Sequence, residues 1–355
     1  MLAPVASKTN VQDDVSTATD RGLVLEIATS YRRITYVGSK ATTQRGRDRQ
    51  VRGGIDHLPV SVNGTARSAS PAPTLFAASI GYLVPRGDFT GTVHSVFAHA
   101  CNLATADSLL TLATLPGGAA PTTIVLGDET VPDLREHFEV GAALRCRGGV
   151  LRSTSAAIQL AGARVWLPPR HGPRMPAIQV RANLRIAAEH LARKRRSASS
   201  MIDRDGGERI ASLTCATRAL DEGEQARVLQ RLVGWGEGLT PAGDDFLVGY
   251  LAGLEMLADN APRQRFLEAL RQSVRALALC TTDLAAHLLR LATNGHHAAA
   301  LEHLRIALLC AHRCDLPERA LQAALDIGAT SGADTVSGLL AGLSVWLDDK
   351  NEKRT

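Results

Sequence analysis

The feature that most constrains this chain is a change of hydrophobic period across Pro168, Pro169, Pro173 and Pro176. Before those prolines, apolar residues come in short β-type bursts. Examples are Gly91-Thr-Val-His-Ser-Val-Phe97, Leu109-Leu-Thr-Leu-Ala113, Thr123-Ile-Val-Leu126 and Ala163-Arg-Val-Trp166, with Pro116-Gly117-Gly118 and Gly148-Gly149 as turns between them. Many short strands at this spacing predict an antiparallel sheet or a barrel. Beyond the prolines the spacing becomes helical. It predicts helices over 178–195, 222–234, 244–258, 262–279, 281–293, 297–312, 316–326 and 335–348. The expectation is an α+β protein: a loose tail over 1–20, a β-rich domain over 21–170 and an all-helical domain over 177–349. Within the β-rich part, Leu23-Val-Leu25 and Ile34-Thr-Tyr-Val37 look strand-like, and 41–72 reads as a polar, aperiodic insertion. A length of 355 residues agrees with two domains at about 150 residues each.

Charge and composition narrow the partners. The formal net charge is +5, carried mostly by arginine and clustered at Arg45–Arg52 and Arg193–Arg196. Nucleic-acid surfaces usually interleave such charge with aromatics that stack on bases. Aromatics are only 4% here and show no such interleaving, so no nucleic-acid partner is expected. A small anionic substrate or a solvated surface accounts for the charge, and the run Arg193-Lys-Arg-Arg196 reads as a solvated helix end. No apolar run reaches the roughly 18 residues of a membrane helix. The polar start, with Asp13 and Asp14, has no apolar signal region. Six cysteines in a chain of this length are not a disulfide scaffold. A cytoplasmic location with no membrane partner follows as the expectation.

The most informative segment is Gly234-Trp-Gly236-Glu-Gly238-Leu-Thr240-Pro241-Ala-Gly243-Asp244-Asp245, which runs into Phe246-Leu-Val-Gly249-Tyr-Leu-Ala-Gly253-Leu254. The glycines allow positive φ and close approach of the backbone to a ligand. Asp244 and Asp245 fall in the first turn of a helix, where the macrodipole favours negative charge. That helix is apolar nearly all round and should be buried, and Gly249 and Gly253 leave it a flat face for close packing. A second segment echoes the first: Gly328-Ala-Thr330-Ser331-Gly332-Ala-Asp334, followed by Gly338 and Gly342. Gly243 aligns with Gly332, Asp245 with Asp334, and Leu-Ala-Gly-Leu recurs at 251–254 and 340–343. Two glycine-lined helix N-termini side by side would suit a small anion. Asp244 and Asp245 are then the candidate catalytic residues. Gly236, Gly238, Thr240, Pro241, Gly243, Thr330, Ser331, Gly332 and Asp334 are the candidate binding residues. Carboxylates beside an anion call for Mg²⁺, with Asp244 and Asp245 as its candidate ligands, or for a substrate amine. The plainer alternative is that one Asp caps the helix and the glycines serve packing.

Weaker patterns weigh less. Cys310-Ala-His312-Arg-Cys314, with His296, His297 and His303 near in sequence, has zinc-type ligands but no clean second pair. The run His94-Ser-Val-Phe97-Ala-His99-Ala-Cys101-Asn102 suggests a Cys–His nucleophile. A single strand with alternating faces explains it more simply, and Asn102 is the better candidate for a polar contact. Gly-Asp-Asp also occurs in viral RNA polymerases, but in a hairpin between strands, whereas a helix follows here. No phosphate-binding loop of the G-x-x-x-x-G-K-[S/T] form occurs.

The run Gly238-Leu-Thr-Pro-Ala-Gly-Asp-Asp245 with Thr330-Ser-Gly-Ala-Asp334 resembles a bacterial family that includes the AllH-type subunit of oxamate carbamoyltransferase, of the allantoin-degradation pathway. The similarity is strongest over 230–345, with a weaker echo in Val93-His-Ser-Val-Phe97 to Asn102. The resemblance implies one subunit of a multi-component enzyme, with other subunits as partners. Its reaction would move a carbamoyl group between an oxamate-type amide and phosphate through carbamoyl phosphate. Two other readings stand beside it: a non-catalytic assembly subunit whose glycine-rich helices pack against partner chains, and a metal- or nucleotide-dependent hydrolase.

Overall fold

The computed structural model describes residues 74–114, 118–127, 133–197, 202–310 and 317–347. The tail expected over 1–20, the bursts at 22–38 and the insertion at 41–72 lie outside the described residues.

The β-rich part has strands β1 (Thr74–Gly81), β2 (Phe89–Val96), β3 (Ala100–Thr105), β4 (Leu109–Ala113), β5 (Thr123–Leu126), β6 (Ala143–Arg147), β7 (Val150–Arg152), β8 (Ala157–Gln159) and β9 (Arg164–Trp166). They bond in the order β5-β4-β3-β2-β6-β7-β8-β1-β9, and an added β1–β5 pairing closes the sheet into a barrel. Closure leaves no free edge along the ring. It also corrects the antiparallel expectation: β4–β5, β1–β8 and β1–β9 run parallel. Strand β1 makes this possible by pairing with β8 through Thr74–Phe76 and with β9 through Ser79–Gly81 on one flank, while β5 takes the other. Leu103, Leu110, Leu112, Ile124, Leu151 and Ile158 point inward and fill the barrel, so it is a packed core and not a channel.

The reading of 94–102 as one strand is also corrected. The ladder shifts between Val93 and Ser95, and the chain turns between β2 and β3, with the Phe97 N–H bonding the Ala100 carbonyl at 2.7 Å. Ser95 therefore faces Asn102 across a hairpin rather than sharing a strand with it.

After the prolines come helices α1 (Ala177–Ser197), α2 (Gly207–Ala219), α3 (Glu222–Leu232), α4 (Ala242–Glu255), α5 (Ala261–Leu277), α6 (Asp283–Thr293), α7 (Ala299–Leu309), α8 (Pro317–Leu325) and α9 (Ser331–Leu347). Their starts follow local chemistry. Asp221, Asn260 and Thr282 each accept a first-turn N–H, from Glu224, Arg263 and Ala285. Helix α2 was not predicted, since Thr214 and Thr217 lie on its buried side and blur the apolar stripe.

The helical region is built on α4 and α9, which cross glycine against glycine. A Cβ on Gly249 would sit 1.8 Å from the Thr335 carbonyl oxygen, and one on Gly338 would sit 1.9 Å from that of Phe246. Gly253 and Gly342 meet one another one turn further on. Under the alignment of Gly243 with Gly332 these contacts exchange with each other, so the sequence echo is a two-fold pseudo-symmetric helix pair. The glycine faces cover each other. This overturns the idea that they wait for partner chains.

Barrel and helices have separate apolar cores and meet through polar contacts. Ala299 N–H bonds the Ala119 carbonyl at 2.8 Å, Tyr82 Oη meets His296 Nδ1 at 2.8 Å, Thr122 Oγ1 meets buried His287 Nε2 at 3.2 Å, and His94 Nε2 lies 3.5 Å from Asp283.

Candidate functional site

The loop before α4 folds back over its own helix. The Gly243 N–H bonds the Trp235 carbonyl at 2.8 Å, and a Cβ on Gly243 would sit 2.0 Å from the Leu232 carbonyl oxygen. The second copy repeats this, with Gly332 N–H on the Ile327 carbonyl at 2.9 Å and a Cβ 2.3 Å from the Ala324 oxygen. Only glycine tolerates that approach. Gly236 and Gly238, at φ of 127° and 86°, supply the left-handed backbone that turns the loop. The expectation of open helix N–H groups is corrected at Gly243 and Gly332, because loop carbonyls already occupy theirs.

The two loops touch. Thr240 Oγ1 and Ser331 Oγ are 2.7 Å apart, joining the start of α4 to the start of α9. Behind this bridge lie Asp245 and Asp334, 5% and 0% exposed. Burial raises the Asp245 carboxyl well above the ordinary carboxylate range, and the charges of Asp334 and Asp244 push it the same way. The Ser331 and Thr240 hydroxyls act against that shift. Asp245 Oδ2 is buried without a hydrogen-bond partner among the described residues. Asp334 Oδ1 takes a contact from Arg195 Nη2 at 3.4 Å, and the same guanidinium bonds Ser337 Oγ. The run Arg193–Arg196 reads in sequence as a solvated helix end, but the Arg195 side chain is only 10% exposed and turned inward.

Asp244 does different work. Its helix has Pro241 as N-cap and no side-chain cap, so the plain capping reading fails. Instead Oδ1 accepts from the Gly234 N–H at 3.0 Å and Oδ2 from Thr281 Oγ1 at 2.5 Å. Asp244 thus ties the loop to the chain entering α6. Burial raises its carboxyl, and the bonds from Thr281 and Gly234 oppose that.

Next along, Thr282 Oγ1 bonds the Leu239 carbonyl. Asp283 reaches His94 on the barrel, His94 Nδ1 meets Ser95 Oγ at 3.2 Å, and Asn102 Nδ2 donates to Ser95 Oγ at 2.9 Å. Asn102 Oδ1 accepts from Thr111 Oγ1 at 2.9 Å, which engages both ends of its amide inside the barrel wall. Asn102 therefore joins the loops only through the start of α6. Thr281, Thr282 and Asp283 were missed as site residues, since a Thr-Thr-Asp start is an ordinary helix cap in sequence.

Among the described residues, no group of three or more His, Cys, Asp or Glu side chains is placed to hold a metal ion. Of the zinc-type pattern, His312 and Cys314 lie outside the described residues, while Cys310 is buried in a β-bridge with Arg174. Cys101 is a buried thiol pushed up to about 12 by that burial, the reverse of an activated nucleophile.

The same residues decide the kinship. Residues 232–343, which contain both loops, match the family described as oxamate carbamoyltransferase subunit AllH, and residues 76–165 match the AllH family N-terminal domain. The chain belongs to the AllH family. Together the two matches cover both the barrel and the helical pair, including the His94–Asn102 hairpin. No curated protein and no solved structure matches the chain. Among the described residues of this AllH-family chain, no helix is long and apolar enough to cross a membrane.

Proposed function

We propose that the chain is a subunit of a carbamoyltransferase-type complex and holds a small amide- or carbamoyl-bearing anion, of the oxamate or carbamoyl phosphate type, between loops 234–245 and 328–334. The carrying observation is the buried Asp245 Oδ2, an acceptor without a donor, set behind the Thr240–Ser331 bridge where the two copies meet. A buried acceptor left unpaired costs roughly 1–3 kcal/mol, and a ligand NH₂ would recover it. The two helix starts add a favourable field for negative charge. Burial raises the Asp245 carboxyl, which lessens the repulsion that two ionised carboxylates would impose on an anion. Asp334, neutralised in part by Arg195, fixes the far wall, and Asp244 positions the loop through Gly234 and Thr281. Gly236, Gly238, Pro241, Gly243, Thr330 and Gly332 shape the two turns.

The test is a thermal-shift and calorimetric titration of the full chain with oxamate and with carbamoyl phosphate, beside Asp245→Asn. At about 100 times its dissociation constant, a ligand stabilises the fold by roughly 2.7 kcal/mol. Asn matches Asp in size but puts an NH₂ donor in place of one acceptor oxygen, so the variant should fold, lose that shift and bind at least tenfold more weakly. Undiminished binding in Asp245→Asn, or no binding of either compound to the wild type, refutes the site.

A further inference from the structure

We propose that the outer wall of the barrel carries a second binding site, for the dianionic phosphoryl group of a small molecule, between Arg145 and Arg152. The two arginines stand directly opposite each other on β6 and β7, and Thr90 on β2 faces Arg145 from the other side. Their chain neighbours Leu144, Cys146 and Leu151 are buried in the barrel core, so alternation along the strands sends both guanidinium groups outward. The adjoining outward row, Ala104–Thr92–Ala143, is made of small side chains and forms the floor of a trough of about 500 Å³. That is the size of many small-molecule sites.

Like charges directly opposite on neighbouring strands repel. Among the described residues neither Arg145 nor Arg152 has an ion-pair partner, and the Asp88 carboxylate on that side of the barrel accepts the Gly148 N–H. A bound dianion reverses the repulsion, while a single carboxylate offsets only one of the two charges. Guanidinium forks match phosphoryl oxygens two at a time, and Thr90 and Thr92 add hydroxyl donors beside them. The barrel interior is filled, so the ligand would dock by its charged end with the remainder in solvent. The site shares no residue with the loops at 234–245 and 328–334 and does not depend on that reading.

Calorimetric titration of the full chain with inorganic pyrophosphate and inorganic phosphate tests it. One site is expected, weakened by added salt and weakened about tenfold or more in Arg145→Ala and Arg152→Ala. Arg145→Lys should fall between, because it keeps the charge and loses the fork. Asp245→Asn should leave this binding unchanged, which separates the two sites. Both arginines are exposed and oppose each other, so the Ala variants should melt at or slightly above the wild type. The proposal is overturned by no binding to the wild type, by undiminished wild-type affinity in both Ala variants, or by a glutamate-rich peptide that binds more tightly with the same arginine dependence.

Discussion

Replacing Gly249 by alanine adds one methyl group at the tightest point of the α4–α9 crossing. The new Cβ would lie 1.8 Å from the Thr335 carbonyl oxygen and 2.7 Å from the Leu339 nitrogen, where ordinary contact begins at 3.4 Å. The crossing must open by about 1.6 Å, because both obstacles are backbone and cannot rotate away. Opening loosens the reciprocal contacts of Gly338, Gly253 and Gly342 and the packing of Phe246 and Tyr250 around them. Overpacking costs about 1–3 kcal/mol, with backbone clashes at the upper end. Alanine returns up to about 1 kcal/mol through helix propensity. The net loss is about 2 kcal/mol, or roughly 4–8 °C in Tm for a helical region of this size. Thermal unfolding followed by helical circular dichroism measures it. Gly223→Ala is the control: that glycine is exposed on α3, and its Cβ would meet only Asp221 Oδ1 at 3.4 Å. It should melt at or slightly above the wild type. A Gly249→Ala protein that melts no lower than Gly223→Ala would show that the crossing is not rigid, and the argument from glycine contacts would fail.

Other consequences follow the same reasoning. Asp244→Ala leaves both the Gly234 N–H and the Thr281 hydroxyl without their acceptor, at a cost of about 1–3 kcal/mol; amide exchange at Gly234 should speed up, and unchanged exchange would remove the tie between loop and α6. Burial first, and Arg290 second, push His287 down to about 4. Its contribution is therefore complete above about pH 6.5 and falls by roughly 3 kcal/mol as the pH drops to 4; denaturant midpoints should flatten over that range in His287→Gln, and an unaltered slope would refute the assignment. Burial pushes Glu255 up, but the hydrogen bond from His297, its charge and those of Arg305 and Arg271 outweigh it and hold the carboxyl at about 2. Burial lowers His297 itself, and its Nε2 lies 3.0 Å from Glu255 Oε2. Glu255 should contribute about 2–3 kcal/mol above pH 4.5, lost as the pH falls toward 2; Glu255→Gln should lack this step in acid titrations of stability.

Much of the candidate site was legible before any coordinates. The paired Gly-x-Asp segments with their trailing Gly-x-x-x-Gly identified both loops and the buried helices behind them, because close backbone approach permits no other residue type. Arg195 was misread because a basic run at a helix end looks solvated whether or not one member turns inward. The strand run through His94 was misjoined because alternation cannot reveal a bulge or a turn formed by residues that also favour strands.

By itself, the sequence determined the local order of this protein: short strands before the prolines, helices after them, and an internal echo ending in matched glycines. These are properties of neighbouring residues, set by side-chain period and backbone freedom. Only the tertiary structure decided that β1 closes a barrel through parallel partners, that the echoed helices cover each other, and that Asp244 holds a loop while Asp245 is buried within reach of the Asp334 charge. Those outcomes depend on contacts between residues far apart in the chain, where burial, like-charge repulsion and the competition for each hydrogen bond are settled by what arrives in space.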